Sequence, residues 1–403
     1  MIPSPFSFFN FANSLMFIGI DGLPLGAPKT GIGHYTFELA RGLAALAPAV
    51  EFELIAPAPP EPPPADHTHD WPANMHAVHA PVNRLVKHWW TIGLPLYARR
   101  RPFSLFHGTN YNIPLWNQCP AVVTIHDLSL LLHAETHREE LVRSGRRRLP
   151  VMIRAARKII TDSASVKREI CQHLGVSPEK IAVVPLAPRR AFCPVELPQI
   201  AETRCRLGIE ENFLLFVGTV EPRKNLITLV RAFDELLRTT AHRPQLVIAG
   251  QQGWLNDDLF RLVESSGVGD RIRFTGYVSD ADLCALYSSC RACIYPSLYE
   301  GFGLPPLEAM ACGAPVVTSR IPVLIETVGA AARLFEPTDV PALARHLAEL
   351  LADENARRHL SLAGAKRAAG FTWERTARLT WAVYEEIWAA EKKKARGVVG
   401  VGA

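Results

Sequence analysis

No run of apolar residues in this sequence is long enough to cross a bilayer without interruption, so an integral membrane protein is not expected. Acidic residues are absent from Trp71 to His126, while Arg84, Lys87, Arg99, Arg100 and Arg101 fall inside that stretch. No G-x-x-x-x-G-K-[ST] string occurs anywhere, which removes the P-loop nucleotide-hydrolase class. Internal repeats are missing too. Residues 1–15 are apolar but have no basic residue ahead of their hydrophobic part, so they make a poor secretory signal. They read as an extension to a unit that opens at Met16. The eight cysteines are scattered, and Cys290 and Cys293 lack the further ligands that zinc needs. Buried thiols in a reducing compartment are expected, not a disulfide frame.

What is present describes a folded, two-domain chain. With 48% apolar residues among 403, it is too long for one ordinary core. The net charge of +5 sits mostly in the first half, where a second basic cluster runs through Arg143, Arg146, Arg147, Arg148, Arg154, Arg157 and Lys158. Such a half suits anionic lipid, nucleic acid or an anionic small substrate, or is a solvated face. The segment from Pro57 to Pro64 cannot be helix or central strand, because proline fixes φ and lacks the donor. Elsewhere both halves share one rhythm of short apolar strands and amphipathic helices. Strands are expected at 16–20, 51–56, 121–125, 158–161 and 181–184, with helices near 32–46, 84–98, to about 157, and 164–173. The second half repeats this with strands at 213–218, 245–249, 271–275, 292–296 and 315–318. The intervening helices are expected at 225–238, 257–266, 280–288 and 305–312. That alternation predicts an α/β chain of two Rossmann-like domains joined near Pro188–Glu210. Ligands of such sheets bind at the carboxyl ends of strands. The loops after strands are therefore where chemistry is expected.

The richest loop runs from Pro296 to Glu308 and leads into a short helix that Gly313 should cap. Gly301 and Gly303 would let backbone N–H groups approach a ligand, and the helix N-terminus favours an anion. Glu300 and Glu308 beside this seat would repel phosphate but accept hydrogen bonds from sugar hydroxyls. A ligand with phosphates in its middle and hydroxyls on either side fits. The loop from Gly218 to Asn225 puts Arg223 and Lys224 at a strand end, where they could neutralise a leaving diphosphate. In the first half, Gly31 and Gly33 open a helix, but Thr36 stands where a dinucleotide fingerprint needs its third glycine. His126-Asp127 follows an apolar strand and reads either as site residues or as a buried structural pair. Asp280-Ala281-Asp282 matches a metal-diphosphate D-x-D, yet Ser279-Asp280 reads as a helix cap, so no metal site is expected.

Together the strings SLYEGFGLPPLEAMACGAPVVTS, VGTVEPRKN, MFIGIDGLPL, GIGHYTFELARGL, FHGTNY and TIHDLS resemble glycosyltransferase family 4, the retaining group with the GT-B fold. VGTVEPRKN looks like the version in its mannosyltransferase-like branch. The resemblance covers about residues 16–390. It implies two Rossmann-like domains facing across a cleft, an acceptor-binding one at 16–195 and a nucleotide-sugar-binding one at 205–375, with a helix at 376–394 returning to the first. It implies that Glu308 holds the nucleotide ribose and that Glu300 contacts the donor sugar with the backbone of Gly301, Phe302, Gly303 and Leu304. Lys224 matches the lysine on the donor diphosphate. Thr219 stands where many members have arginine after Gly218, a role Arg223 could take. His126 matches a histidine near the transferred sugar, and Gly31 and Gly33 match a loop over donor phosphate and acceptor.

The implied reaction is retaining transfer of a hexose, mannose first, from a nucleotide-diphosphate sugar such as GDP-mannose to a glycan or lipid-linked acceptor. No metal and no further cofactor are implied. A front-face attack, with the leaving phosphate taking the acceptor proton, is the mechanism expected. A nucleotide-sugar hydrolase or epimerase of the same fold, or a silent nucleotide-sugar-binding protein, are the competing readings. The basic stretches with Trp89, Trp90 and Tyr97 suggest seating against an anionic membrane, which points to the cytoplasm and the inner face of its membrane. Nucleic acid is not an expected partner, because no recognisable module is present.

Overall fold

The computed structural model describes residues 16–26, 31–57, 72–80, 89–115 and 119–399. Most of the proline segment, Thr30, Arg84, Lys87, residues 1–15 and the last four residues lie outside these. The apolar runs form two wholly parallel sheets. The first holds β1 (Met16–Asp21), β2 (Val50–Ala56), β3 (Met75–His79), β4 (Leu105–Gly108), β5 (Ala121–Thr124), β6 (Lys158–Thr161) and β7 (Ile181–Val183), in the order 3-2-1-4-5-6-7. The second holds β8 (Phe213–Val217), β9 (Gln245–Ala249), β10 (Ile272–Gly276), β11 (Ala292–Tyr295), β12 (Val316–Ser319) and β13 (Arg333–Phe335), in the order 10-9-8-11-12-13. Central strands such as β5, β8 and β11 are buried along their whole length, as helices on both faces require. Both orders reverse at one point, between β1 and β4 in the first sheet and between β8 and β11 in the second. A crevice opens at such a point.

Several elements differ from expectation. Strands β3, β4 and β13 were not anticipated: β3 is a half-exposed edge strand carrying two histidines, and β4 and β13 are only four and three residues long. Edges and short segments carry too little periodicity to be read. Within the helix expected at 84–98, the described part is a wide turn, Trp89–Gly93, followed by a helix at Leu94–Arg99. Trp89 and Trp90 are buried, and the Tyr97 hydroxyl and Arg101 both bond to Glu53. The aromatic residues expected at a membrane surface thus serve the core of the first domain. Cys290 and Cys293, at C-x-x-C spacing, are buried free thiols.

The final helix runs over Trp373–Val399, five residues beyond the expected Lys394. It packs on the first domain. A Cβ at Gly42 would stand 3.0 Å from Ala377 Cβ, and Tyr384 Oη lies 2.6 Å from Nδ1 of buried His107. The same helix grips the chain between the sheets, since Trp373 Nε1 donates to Pro188 O at 2.9 Å and Thr376 Oγ1 to Pro185 O at 2.7 Å. Among the described residues no helix is long and apolar enough to cross a membrane.

Candidate active site

The loops that leave β8 and β11 flank the switch point of the second sheet and face the ends of β1, β4 and β5. Between them lies a cleft of about 610 Å³. The Gly218–Asn225 loop ends on Asn225, whose φ of 57° is left-handed. Asparagine tolerates that conformation, and its side chain is fastened to Pro296 O at 3.0 Å and Pro337 O at 2.7 Å. This turn aims Arg223 and Lys224 back into the cleft. Lys224 Nζ donates to Glu300 Oε1 at 2.6 Å and to Tyr295 Oη at 2.7 Å. Arg223 reaches Glu300 Oε2 at 3.1 Å, Glu221 Oε1 at 2.7 Å and Tyr299 O at 2.9 Å. Burial alone would raise the Glu300 carboxyl, but Lys224 and then Arg223 pull it down to about 2. Burial and the neighbouring Arg223 in turn lower Lys224. Two cations thus stand over one fixed carboxylate at a strand end.

On the far side of the same loop, Gly303 at φ 96° starts the helix Leu304–Ala311, which carries Glu308 inward. Glu308 is not free. Both its oxygens are held by Arg189, through Nε at 2.7 Å and Nη2 at 3.1 Å, while Arg189 Nη1 reaches Asp280 at 2.5 Å. Asp280 belongs to the helix capped by Ser279, whose hydroxyl accepts from Asp282 N at 3.2 Å. Asp282 itself is bound by Ser279, Thr203 and Arg206. Its two acids are therefore committed to protein partners 91 and 76 residues away in sequence.

The first domain contributes His126, at the end of β5. The expected His–Asp pairing exists but with Asp162, not Asp127: Nδ1 lies 2.7 Å from Asp162 Oδ2, and Nε2 lies 2.9 Å from Thr109 O. Both ring nitrogens face acceptors, and only the doubly protonated ring can donate to both. Burial opposes that charge, but Asp162, the Thr109 carbonyl and Asp127 outweigh it and raise the His126 value. This raised group contributes stability in full below 6.5, its ordinary value, and loses it as pH rises through the folded value. Asp162→Asn should therefore lower stability by on the order of 1–3 kcal/mol near pH 6 and by less toward pH 9. Melting temperatures across that range check this; a constant difference would contradict an imidazolium.

Of the other expected residues, Gly31, Gly218, Gly301, Phe302, Gly303 and Leu304 line the cleft, as does Thr219. Gly33 does not. It is buried inside the helix Gly31–Leu46, because residues two apart on a helix point to opposite sides, and His34 and Tyr35 reach the cleft instead. Arg189, Asp162 and Tyr111 are cleft residues that were not anticipated from the sequence. Arg189 sits in the Pro-Arg-Arg run of the connecting segment, whose position between two domains was its only signal.

Residues 200–367 match the family model for Glycosyl transferases group 1, and residues 29–187 match that for Glycosyltransferase Family 4. The chain is 33% identical over 361 residues to O-antigen chain mannosyltransferase B of Escherichia coli, covering 87% of this chain and 94% of that protein. It is 32% identical to an MMP alpha-(1->4)-mannosyltransferase of Mycolicibacterium hassiacum, over 74% of this chain and 77% of the other. Among solved structures, sucrose-phosphate synthase from Thermosynechococcus elongatus superimposes with a TM-score of 0.72 at 23% identity, over 93% of this chain and all of that one. The two facing parallel sheets are the GT-B fold, and the chain belongs to the group 1, family 4 glycosyltransferases.

Proposed function

We propose that this glycosyltransferase moves mannose from GDP-mannose to a glycan or lipid-linked acceptor, with retention at the anomeric carbon and without a metal. The observation that carries the reading is the Lys224–Glu300–Arg223 cluster beside the glycine loop. It offers two fixed cations to a diphosphate and one ionised carboxylate to sugar hydroxyls. Glu308, held through both oxygens by Arg189, is the second carboxylate and would take the ribose diol. Among the described residues, five of the six carboxylates lining the cleft are paired with cations, which leaves them suited to holding hydroxyls and poorly suited to attack at carbon. Front-face attack is the route we favour: the leaving phosphate takes the acceptor proton while Lys224, Arg223 and the Leu304–Ala311 helix N-terminus stabilise its charge. Mannosyltransferases among the relatives support mannose as the sugar.

Thermal unfolding with GDP-, UDP-, ADP- and dTDP-sugars tests the donor. GDP-mannose at a hundred times its Kd should add about 2.7 kcal/mol of stability, and Glu308→Ala should abolish that gain. Stabilisation by a uridine donor alone would overturn the mannose assignment. No stabilisation by any donor would overturn the donor site. An inverted product, or activity lost in chelator, would overturn retention or metal independence.

A further inference from the structure

One carboxylate in the cleft has no cation within ion-pairing distance among the described residues. Glu221, Glu300, Glu308, Asp280 and Asp162 each pair with Arg223, Lys224, Arg189 or His126, but among the described residues no basic side chain pairs with Asp127. Asp127 is nonetheless held firmly. Its Oδ1 accepts from Ser129 N at 2.9 Å and from Ser129 Oγ at 2.8 Å, and its own amide donates to Tyr111 Oη at 2.9 Å. Among the described residues, Tyr111 is one of three other than glycine with positive φ, at 57°. Its ring stands edge-on to His126, with centroids 6.0 Å apart. Backbone strain of that kind costs free energy and persists where surroundings hold it, often at a site.

Place matters as much as pairing. Asp127 follows His126 at the end of β5, so it belongs to the first domain, yet its Cβ lies 3.1 Å from where a Cβ on Gly301 would stand. It therefore meets the donor loop of the second domain across the cleft. A carboxyl group with one oxygen fixed and no cation within ion-pairing distance of the other accepts hydrogen bonds from hydroxyl groups.

We propose that Asp127, with the Tyr111 hydroxyl, binds the attacking hydroxyl of the acceptor sugar. The assignment rests on the transferase reading above and names the acceptor side of that same site. Asp127 is a hydrogen-bond acceptor for the hydroxyl and forms no covalent bond with the donor sugar. Its ligand class is a neutral polyol ring presented from the first-domain side.

Asp127→Asn is the sharp variant, since Asn keeps the oxygen that Ser129 uses and turns the other acceptor into a donor. With GDP-mannose as donor and methyl α-mannoside, glucoside, galactoside and N-acetylglucosaminide as acceptor probes, kcat/KM for acceptor should fall about 100-fold, mostly through KM. Donor-induced thermal stabilisation should stay close to that of wild type. Tyr111→Phe, which keeps the ring against His126, should raise acceptor KM about tenfold. Unchanged acceptor kinetics in Asp127→Asn would overturn the assignment. So would loss of donor-induced thermal stabilisation, which would mark a merely structural residue or one on the donor side. Wild-type protein that releases GDP but transfers to none of the probes would sink the transferase reading, and this assignment with it.

Discussion

Replacing Gly301 by alanine should cut transfer by about 100-fold or more while both domains stay folded and donor binding survives. A Cβ there would stand 2.0 Å from His126 O and 2.9 Å from His126 C, a distance at which backbone cannot yield. The obstacle belongs to the other domain, so the molecule can relieve it only by opening the cleft. Neighbouring contacts show what would be lost. Ser163 Oγ donates to Gly301 O at 2.9 Å, and Tyr299 Oη accepts from Leu128 N at 2.8 Å and donates to Glu169 at 2.6 Å. Glu326 accepts from Ala164 N at 2.7 Å and Ser165 N at 3.0 Å, at the start of the helix Ala164–Leu174. All of these cross from one domain to the other, and closure is what assembles such a site. The expected signature is a fall in kcat with donor-induced thermal stabilisation retained. Near-normal turnover by Gly301→Ala would show that the closed arrangement is not the reacting one.

Lys224→Met should lower kcat by about 100- to 1000-fold, the scale of losing a charge that stabilises a transition state. The apolar stem stays, but Glu300 then keeps only the Arg223 contact at 3.1 Å. Leaving a buried carboxylate half-paired should also cost on the order of 3 kcal/mol of stability. That cost depends on pH in the opposite sense to the His126 pair. The Glu300 carboxyl is depressed to about 2, so its pairing contributes fully above 4.5, its ordinary value, and fades as pH falls toward 2. The stability gap between wild type and Lys224→Met should therefore be largest near neutrality and narrow in acid. Chemical denaturation between pH 3 and 7 measures it. Arginine should not rescue, since Lys224 is 7% exposed and its pocket is closed by Tyr295 and Glu300. A widening gap in acid would mean that Glu300 is not the partner that matters.

The sequence by itself determined the alternation of strands and helices, because each buried parallel strand writes itself as an unbroken apolar run and each covering helix as a 3.6-residue stripe. It also determined which residues stand at strand ends, so Lys224, Arg223, Glu300 and His126 could be named from their loops alone. Parallel topology then sends those loops to one edge, and the structure brings all four to the same cleft. What the chain could not tell was who holds whom. Arg189 reaches Glu308 across 119 residues, and His126 reaches Asp162 across 36, pairings that no local spacing encodes. Gly33 faces inward and Trp89 and Trp90 are buried, because helix phase and core packing set orientation only once the chain is folded. The reason Gly301 must be glycine is of the same kind. Its own φ asks for nothing unusual; the need comes from a backbone carbonyl in the other domain, so only the tertiary structure could decide it.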